Sequence, residues 1–149
     1  MHKSKGRFRQ GIVAVIINER GQVLMAERSD YPGNWQFPQG GIDGDETPEQ
    51  ALYREVQEEL GNGEISILKT GQGKSQYRWP EAGKKHVGQE HTWFLVEFNK
   101  NEKPNLKKSD GCFQDWKWEV PELVLAQIYD WKRPAYATGL QLLGLKRDE

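Results

Sequence analysis

From Gly40 to Asn62 the chain reads GGIDGDETPEQALYREVQEELGN, a glycine turn feeding a helix whose two ends are both marked. Thr47 is placed to cap a helix that begins at Pro48, and Gln50, three residues past the cap, completes a capping box. Gly61 ends the helix. Between these limits Leu52, Val56 and Leu60 recur every fourth residue and form one apolar stripe. Glu55, Glu58 and Glu59 occupy a neighbouring arc at about 100° per residue. The pattern predicts a helix with one side buried in the core and an acid side beside a glycine turn.

The acid side opposes helix formation. Glu55 faces Glu58 and Glu59 at i+3 and i+4, and each like-charge pair is unfavourable by roughly 0.2–0.5 kcal/mol. Arg54 reaches Glu58 one turn on, but a single guanidinium does not neutralise three carboxylates on one arc. A hard divalent cation does. Mg²⁺ takes carboxylate, carbonyl and water oxygens and also holds substrate phosphates. The competing reading is a solvated helix face, which is what most charge runs are.

Gly40, five residues, Glu46, seven residues and then Arg54-Glu55-Val56-Gln57-Glu58-Glu59-Leu60-Gly61 resembles the Nudix box. One departure is Asn62, which stands where that family usually places an apolar residue; it bears on packing just beyond the helix. The resemblance implies an α/β fold, a Nudix-type α/β/α sandwich with a mixed β-sheet. It also implies cleavage of a pyrophosphate linkage with Mg²⁺, Mn²⁺ or another divalent metal. Glu55, Glu58 and Glu59 are then the metal ligands and catalytic carboxylates, with a backbone carbonyl at Gly40 as a further oxygen; Glu55 as a general base is the alternative. Glu46 is expected to pair with Arg54 and lock the loop to the helix.

A finer likeness lies outside the box. The run Asn34-Trp35-Gln36-Phe37-Pro38-Gln39-Gly40-Gly41 is similar to that of the RNA pyrophosphohydrolase group and of related dinucleoside-polyphosphate hydrolases. So are Gly88-Gln89 followed by Trp93-Phe94, Phe113 with Trp116-Lys117-Trp118, and Trp131-Lys132-Arg133 with Tyr136. This resemblance implies that the partner is a 5′-triphosphate RNA end or a nucleoside polyphosphate. Arg9 and Arg28 match arginines placed near phosphates, which suits the planar bidentate guanidinium; surface solvation is their alternative. Gln39 and Gln89 join the substrate set. Trp131 with Lys132 looks like a base-stacking and phosphate pair, where stacking is worth ~1–3 kcal/mol per base; the rival for Trp131 is a place in the core. The group has a glutamate where this chain has Cys112, with Asp110 and Asp115 nearby as replacements, and lysines where this chain has Glu90 and Thr92.

The remaining chain limits the alternatives. Its 149 residues, 36% hydrophobic and 29% charged, suit one domain with an adequate core. A formal net charge of −1 gives no overall field for nucleic acid, so RNA contact must come from local patches. The lone Cys112 forms no internal disulfide, no stretch approaches the ~20 apolar residues of a membrane span, and the start lacks a cleavable signal. The expected location is therefore the cytoplasm, with no membrane partner. Residues 1–7 read as a flexible basic N-terminus. Residues 11–17 and 22–27 read as a hairpin-like pair of strands, 64–69 and 76–79 as short strands, and 91–98 as a longer one. Residues 100–111 read as a polar loop, 116–120 as a strand, and 121–128 and 131–143 as helices. Trp35, Trp93, Trp116 and Trp118 are assigned to the core, and His2, His86 and His91 to the exposed surface. A binding module that keeps the fold without cleaving is the reading of a different class; the strained acid arc counts against it and Cys112 for it.

Overall fold

The computed structural model describes residues 7–80 and 85–145. His2 and, apart from Arg7, the basic N-terminus lie outside the described residues. The elements in order are β1 (Phe8–Ile16), β2 (Val23–Arg28), β3 (Trp35–Gln36), β4 (Gln39–Gly41), α1 (Pro48–Leu60), β5 (Ile65–Arg78), β6 (Gly88–Phe98), β7 (Phe113–Glu119) and α2 (Arg133–Leu142). Short 3-10 turns precede β7 and α2.

Two sheets carry the fold. One has the order β4-β1-β6-β5 and is mixed, since β1 and β6 run parallel while the outer pairs are antiparallel. The other is antiparallel, in the order β3-β2-β7. Strand β1 shows why the layers stack as they do: residues 12–16 are fully buried on both faces. Ile12, Ala14 and Ile16 pack with Ala51, Leu52, Val56 and Leu60 of α1, whereas Val13 and Val15 pack with Tyr136 and Leu140 of α2. A continuous apolar run of this kind belongs to a central strand covered by helices on both sides. The result is the expected α/β sandwich. Among the described residues no helix is long and apolar enough to cross a membrane.

Several expectations are corrected. The first two strands form no hairpin ladder: apart from a single bridge between Ile17 and Val23, they part into different sheets. A strand buried on both faces needs neighbours on both edges, and β4 and β6 take those places. Residues 64–69 and 76–79 belong to one 14-residue strand, β5, which stays paired with β6 through two register shifts. Residues 121–128 are not a helix but two 3-10 turns, Pro121–Leu123 and Leu125–Gln127. Their carbonyls are claimed from outside, because Arg133 donates from Nε to the Leu125 carbonyl (2.9 Å) and from Nη2 to the Ile128 carbonyl (2.7 Å). His91 is buried, at 1% exposure, and His86 is half-buried. Trp93 is in the core as expected, while Trp35, Trp116 and Trp118 are only partly buried against it.

Candidate active site

Helix α1 is fixed at both ends. Thr47 Oγ1 accepts from the Gln50 N–H (3.1 Å), and the Gln50 side chain accepts from the Thr47 N–H (2.9 Å). Gly61 closes the helix in the left-handed conformation, φ 73°, and its N–H donates to the Gln57 carbonyl. The loop after β6 straps the last turn: the Asn105 N–H donates to Leu60 and the Asp110 N–H to Glu58, both at 2.7 Å. That loop thereby brings Asp110 and Cys112 to the acid side of the helix.

Arg54 is the hub between helix and glycine turn. It donates to both oxygens of Glu46 (2.6 and 2.8 Å), to the Gly41 carbonyl (2.8 Å), to Glu55 (3.0 Å) and to Glu58 (3.3 Å). The guanidinium, with help from the Asp43 N–H, pulls the Glu46 carboxyl down to about 2. The loop-to-helix lock read from the sequence is thus present.

The three carboxylates of the arc do not behave alike. Glu55 and Glu59 sit one turn apart, meet, and share a hydrogen bond. Glu58, displaced by about 100° from Glu59 on the helix, stays half-exposed beside Arg54. Among the described residues no three His, Cys, Asp or Glu side chains converge as a ready metal cage. Burial raises Glu59 well above the usual carboxylate range; the charges of Glu55 and then Asp110 push the same way against the Gln39 N–H, which donates to Glu59 at 3.1 Å. Burial also raises Glu55, with Arg54 opposing. Two carboxyls one turn apart, each made costly to ionise by burial, are a donor pair whose charge a divalent cation would offset, so their chemistry fits such an ion. Gly40 completes the fit, since a Cβ there would overlap the Glu55 carboxyl.

Of the other predicted residues, Gln39 reaches Glu59 directly and Arg28 lies within its electrostatic reach, while Arg9, Trp131 and Lys132 are placed by other contacts. Arg9 is exposed and its guanidinium lies over Gly41, where an added Cβ would come within about 2.7 Å of Arg9 Cζ and Nε. Arg28 is held bidentately by exposed Asp30 (2.7 and 2.8 Å) and lies within electrostatic reach of Glu59 and Cys112. Trp131 is 38% exposed, which sets aside the core reading; its ring meets Tyr77 edge-on (5.2 Å) and stacks beside Tyr129 (6.4 Å). Lys132 Nζ lies over the rings of Tyr77 and Trp131 and 3.4 Å from Gln36 Oε1. Burial, then Arg28, lowers Lys132 to about 8. The Gln39 side chain is turned inward: its oxygen accepts from the Tyr136 hydroxyl (2.6 Å) and its nitrogen donates to Tyr77 (3.2 Å).

Cys112 adds no charge, because burial and then Glu59 push its thiol up to about 11. Asp115 lies elsewhere, accepting from the Trp116 N–H and lining a cleft with Asn62 and Glu102. Asn62 itself binds Glu102 Oε1 and the Lys103 carbonyl, which explains a polar residue there. Sequence reading missed Tyr77, Tyr136 and His91. Tyr77 shares the inward face of β5 with buried Ser75, two residues before it, and was legible as an inward position; the others depend on register.

With this geometry in place, similarity to known proteins becomes informative. Residues 7–139 match the NUDIX domain, and the chain belongs to the Nudix family. It is 38% identical over 136 residues to the RNA pyrophosphohydrolase of Rhodospirillum rubrum, covering 87% of this chain and 82% of that protein. It is 36% identical over 148 residues to the RNA pyrophosphohydrolase of Cellvibrio japonicus, covering 93% and 87%. In fold it is similar to the dihydroneopterin triphosphate pyrophosphohydrolase of E. coli, with a TM-score of 0.68 at 20% identity over 89% of this chain and 96% of that one. The chain is a Nudix pyrophosphohydrolase.

Proposed function

We propose that this enzyme converts 5′-triphosphate RNA to 5′-monophosphate RNA, water entering at phosphorus and pyrophosphate or successive phosphates leaving. The observation that carries this reading is an aromatic and cationic cluster of exposed Trp131, half-buried Lys132 and Arg28, and buried Tyr77, with Arg28 within electrostatic reach of Glu59. A terminal base stacks on Trp131 while Lys132, Arg28 and Arg9 neutralise its phosphates. Such a site reads only the end of the RNA, so a net charge of −1 is no obstacle.

Glu55 and Glu59, with Glu58 and the backbone at Gly40, are the residues that would hold a divalent metal. The chemistry it would supply there is Lewis-acid neutralisation of the phosphates and activation of water. Arg54 keeps Glu55 oriented, and the Gln39 N–H fixes Glu59. The inward-turned Gln39 amide makes it a positioning residue, tied to α2 through Tyr136. The names carried by the two bacterial relatives support the RNA substrate.

A second reading, hydrolysis of dinucleoside polyphosphates, is favoured by one observation. Glu90, where the group has lysine, engages Gln10 and Gln76 and draws in Lys74 at 3.9 Å, so this edge offers less positive charge to a polyphosphate-tethered RNA. The test is kcat/KM on triphosphate RNA beside diadenosine tetraphosphate under one set of metal and salt conditions. RNA is expected to be preferred, and Trp131→Ala is expected to weaken that reaction more than hydrolysis of a free nucleotide. A tenfold preference for the dinucleotide, about 1.4 kcal/mol in transition-state binding, would replace the RNA assignment.

A further inference from the structure

In the parallel pairing of β1 with β6 and the antiparallel pairing of β6 with β5, Arg9, Gln89 and Tyr77 stand side by side. Two residues further along, the same face carries Gly41, Gly11, His91 and Ser75 in register. Two of these four have no side chain, which lets the Arg9 guanidinium lie over Gly41 and the His91 ring close against Gly11. His91 is 1% exposed, with its Nε2 2.7 Å from Gln89 Oε1 and its ring 5.6 Å from that of Tyr77. Ser75 is already committed, since its hydroxyl accepts from the Trp93 indole at 2.7 Å.

An amide oxygen only accepts, so the imidazole nitrogen facing it must carry a proton. Burial, then Lys132, holds the His91 pKa down to about 3, which leaves a neutral ring with a single N–H. Spending that N–H on Gln89 fixes the amide plane: its oxygen faces His91 and its nitrogen is left on the other arm. Among the described residues that nitrogen donates to no protein group. It stands in the same row as Arg9.

We propose that His91 is a positioning residue that donates its Nε2 proton to Gln89 and thereby presents the Gln89 amide N–H groups, beside Arg9, to the phosphates of a bound substrate. The substrate half of this statement rests on the pyrophosphohydrolase reading; the tautomer half does not. The assignment differs from that of a merely packed histidine, because it fixes which ring nitrogen is protonated and which other residue the effect must pass through.

Two measurements on the full chain decide it. Ring nitrogen shifts in ¹⁵N NMR are expected to show His91 in the Nε2–H tautomer; an Nδ1–H tautomer would point the Gln89 oxygen at the phosphates and overturn the proposal. Binding of inorganic pyrophosphate in the presence of Mg²⁺, read by calorimetry, is expected to weaken about tenfold in His91→Leu, on the scale of one hydrogen bond to a charged group. His91→Gln, whose amide nitrogen reaches the position of Nε2, is expected to bind within twofold of wild type. In a Gln89→Ala background His91→Leu is expected to have no further effect. Additive losses, or equal losses in His91→Leu and His91→Gln, would overturn it. If His91→Leu fails to fold, the tautomer and the His91→Gln variant still decide. Correct tautomer and coupling alongside inert triphosphate RNA would remove the RNA assignment and leave the role of His91 intact.

Discussion

Replacing Gly40 by alanine adds one carbon at the point where the glycine turn touches the acid arc. Gly40 does not have a positive φ, so alanine meets no backbone penalty there. The new Cβ would instead overlap the carboxyl of Glu55, closer than real Cβ contacts come. Relief requires the carboxylate to retreat by roughly 1.4 Å or more to reach ordinary van der Waals contact. The Glu55 carboxylate is the end of a side chain, so it can retreat, but it is also bonded to Arg54 at 3.0 Å and to Glu59. Displacing it therefore disturbs the pair proposed to hold the metal more than it disturbs the fold.

A shift of about 1 Å in a catalytic group is worth on the order of 10²-fold in rate, about 2.7 kcal/mol in the barrier. Overpacking typically costs about 1–3 kcal/mol of stability. Gly40→Ala is therefore expected to lower kcat/KM on triphosphate RNA by about 10²-fold while urea denaturation shows a folded, cooperative protein. The decisive comparison is with Glu55→Gln, which is expected to lower kcat by a similar factor on its own. If the alanine acts through Glu55, the double variant loses little beyond either single change. Full additivity, or near wild-type turnover by Gly40→Ala, would refute the assignment of Glu55.

Glu59 has its folded pKa raised above the ordinary 4.5, so the folded state keeps a proton that the unfolded chain has lost, and rising pH above 4.5 removes stability. In metal-free protein Glu59→Gln is thus expected to raise Tm at pH 8, to match wild type near pH 4, and to lose the Tm increase that Mg²⁺ gives the wild type; a lower Tm at pH 8 would contradict this. Lys132 loses its charge as pH rises past about 8. KM for triphosphate RNA should accordingly climb several-fold between pH 7 and 9.5, and a flat profile would remove Lys132 from the phosphate site. Asp110 lies within electrostatic reach of Glu59 and Asp115 faces another cleft. Activity is expected to fall roughly tenfold in Asp110→Asn and to be unchanged in Asp115→Asn; the reverse order would show that a different group stands in for the absent glutamate.

Helix α1 was legible because everything that defines it is local: cap, capping box, proline and terminal glycine lie within 15 residues, and each makes the contact its type implies. The Glu46–Arg54 pair was legible for a related reason, as eight residues of turn and helix bring the two ends together. Legibility fails where a partner comes from far along the chain. Residues 121–128 have helix-like spacing, with Val124 and Ile128 buried, but Arg133 takes their carbonyls and the backbone settles into two short turns. His91 has the polarity of a surface residue, and its burial depends on Gly11 of the neighbouring strand, where a side chain would crowd the imidazole.

The acid arc joins these two cases. Spacing alone puts Glu55, Glu58 and Glu59 on one side of α1, yet what each carboxylate does is decided by neighbours that the helix does not choose. Arg54, anchored by Glu46 and the Gly41 carbonyl, orients Glu58 and one oxygen of Glu55 through its hydrogen bonds. Glu59 points to the side closed by Gln39, whose amide is in turn held by Tyr136 from the other layer, 97 residues away. There burial disfavours a second charge and pushes both Glu55 and Glu59 upward. Like-charge repulsion that looks modest on an isolated helix is therefore concentrated on this pair. A cation held by the pair would relieve that repulsion, which would link metal affinity to the packing of α2 through a single glutamine.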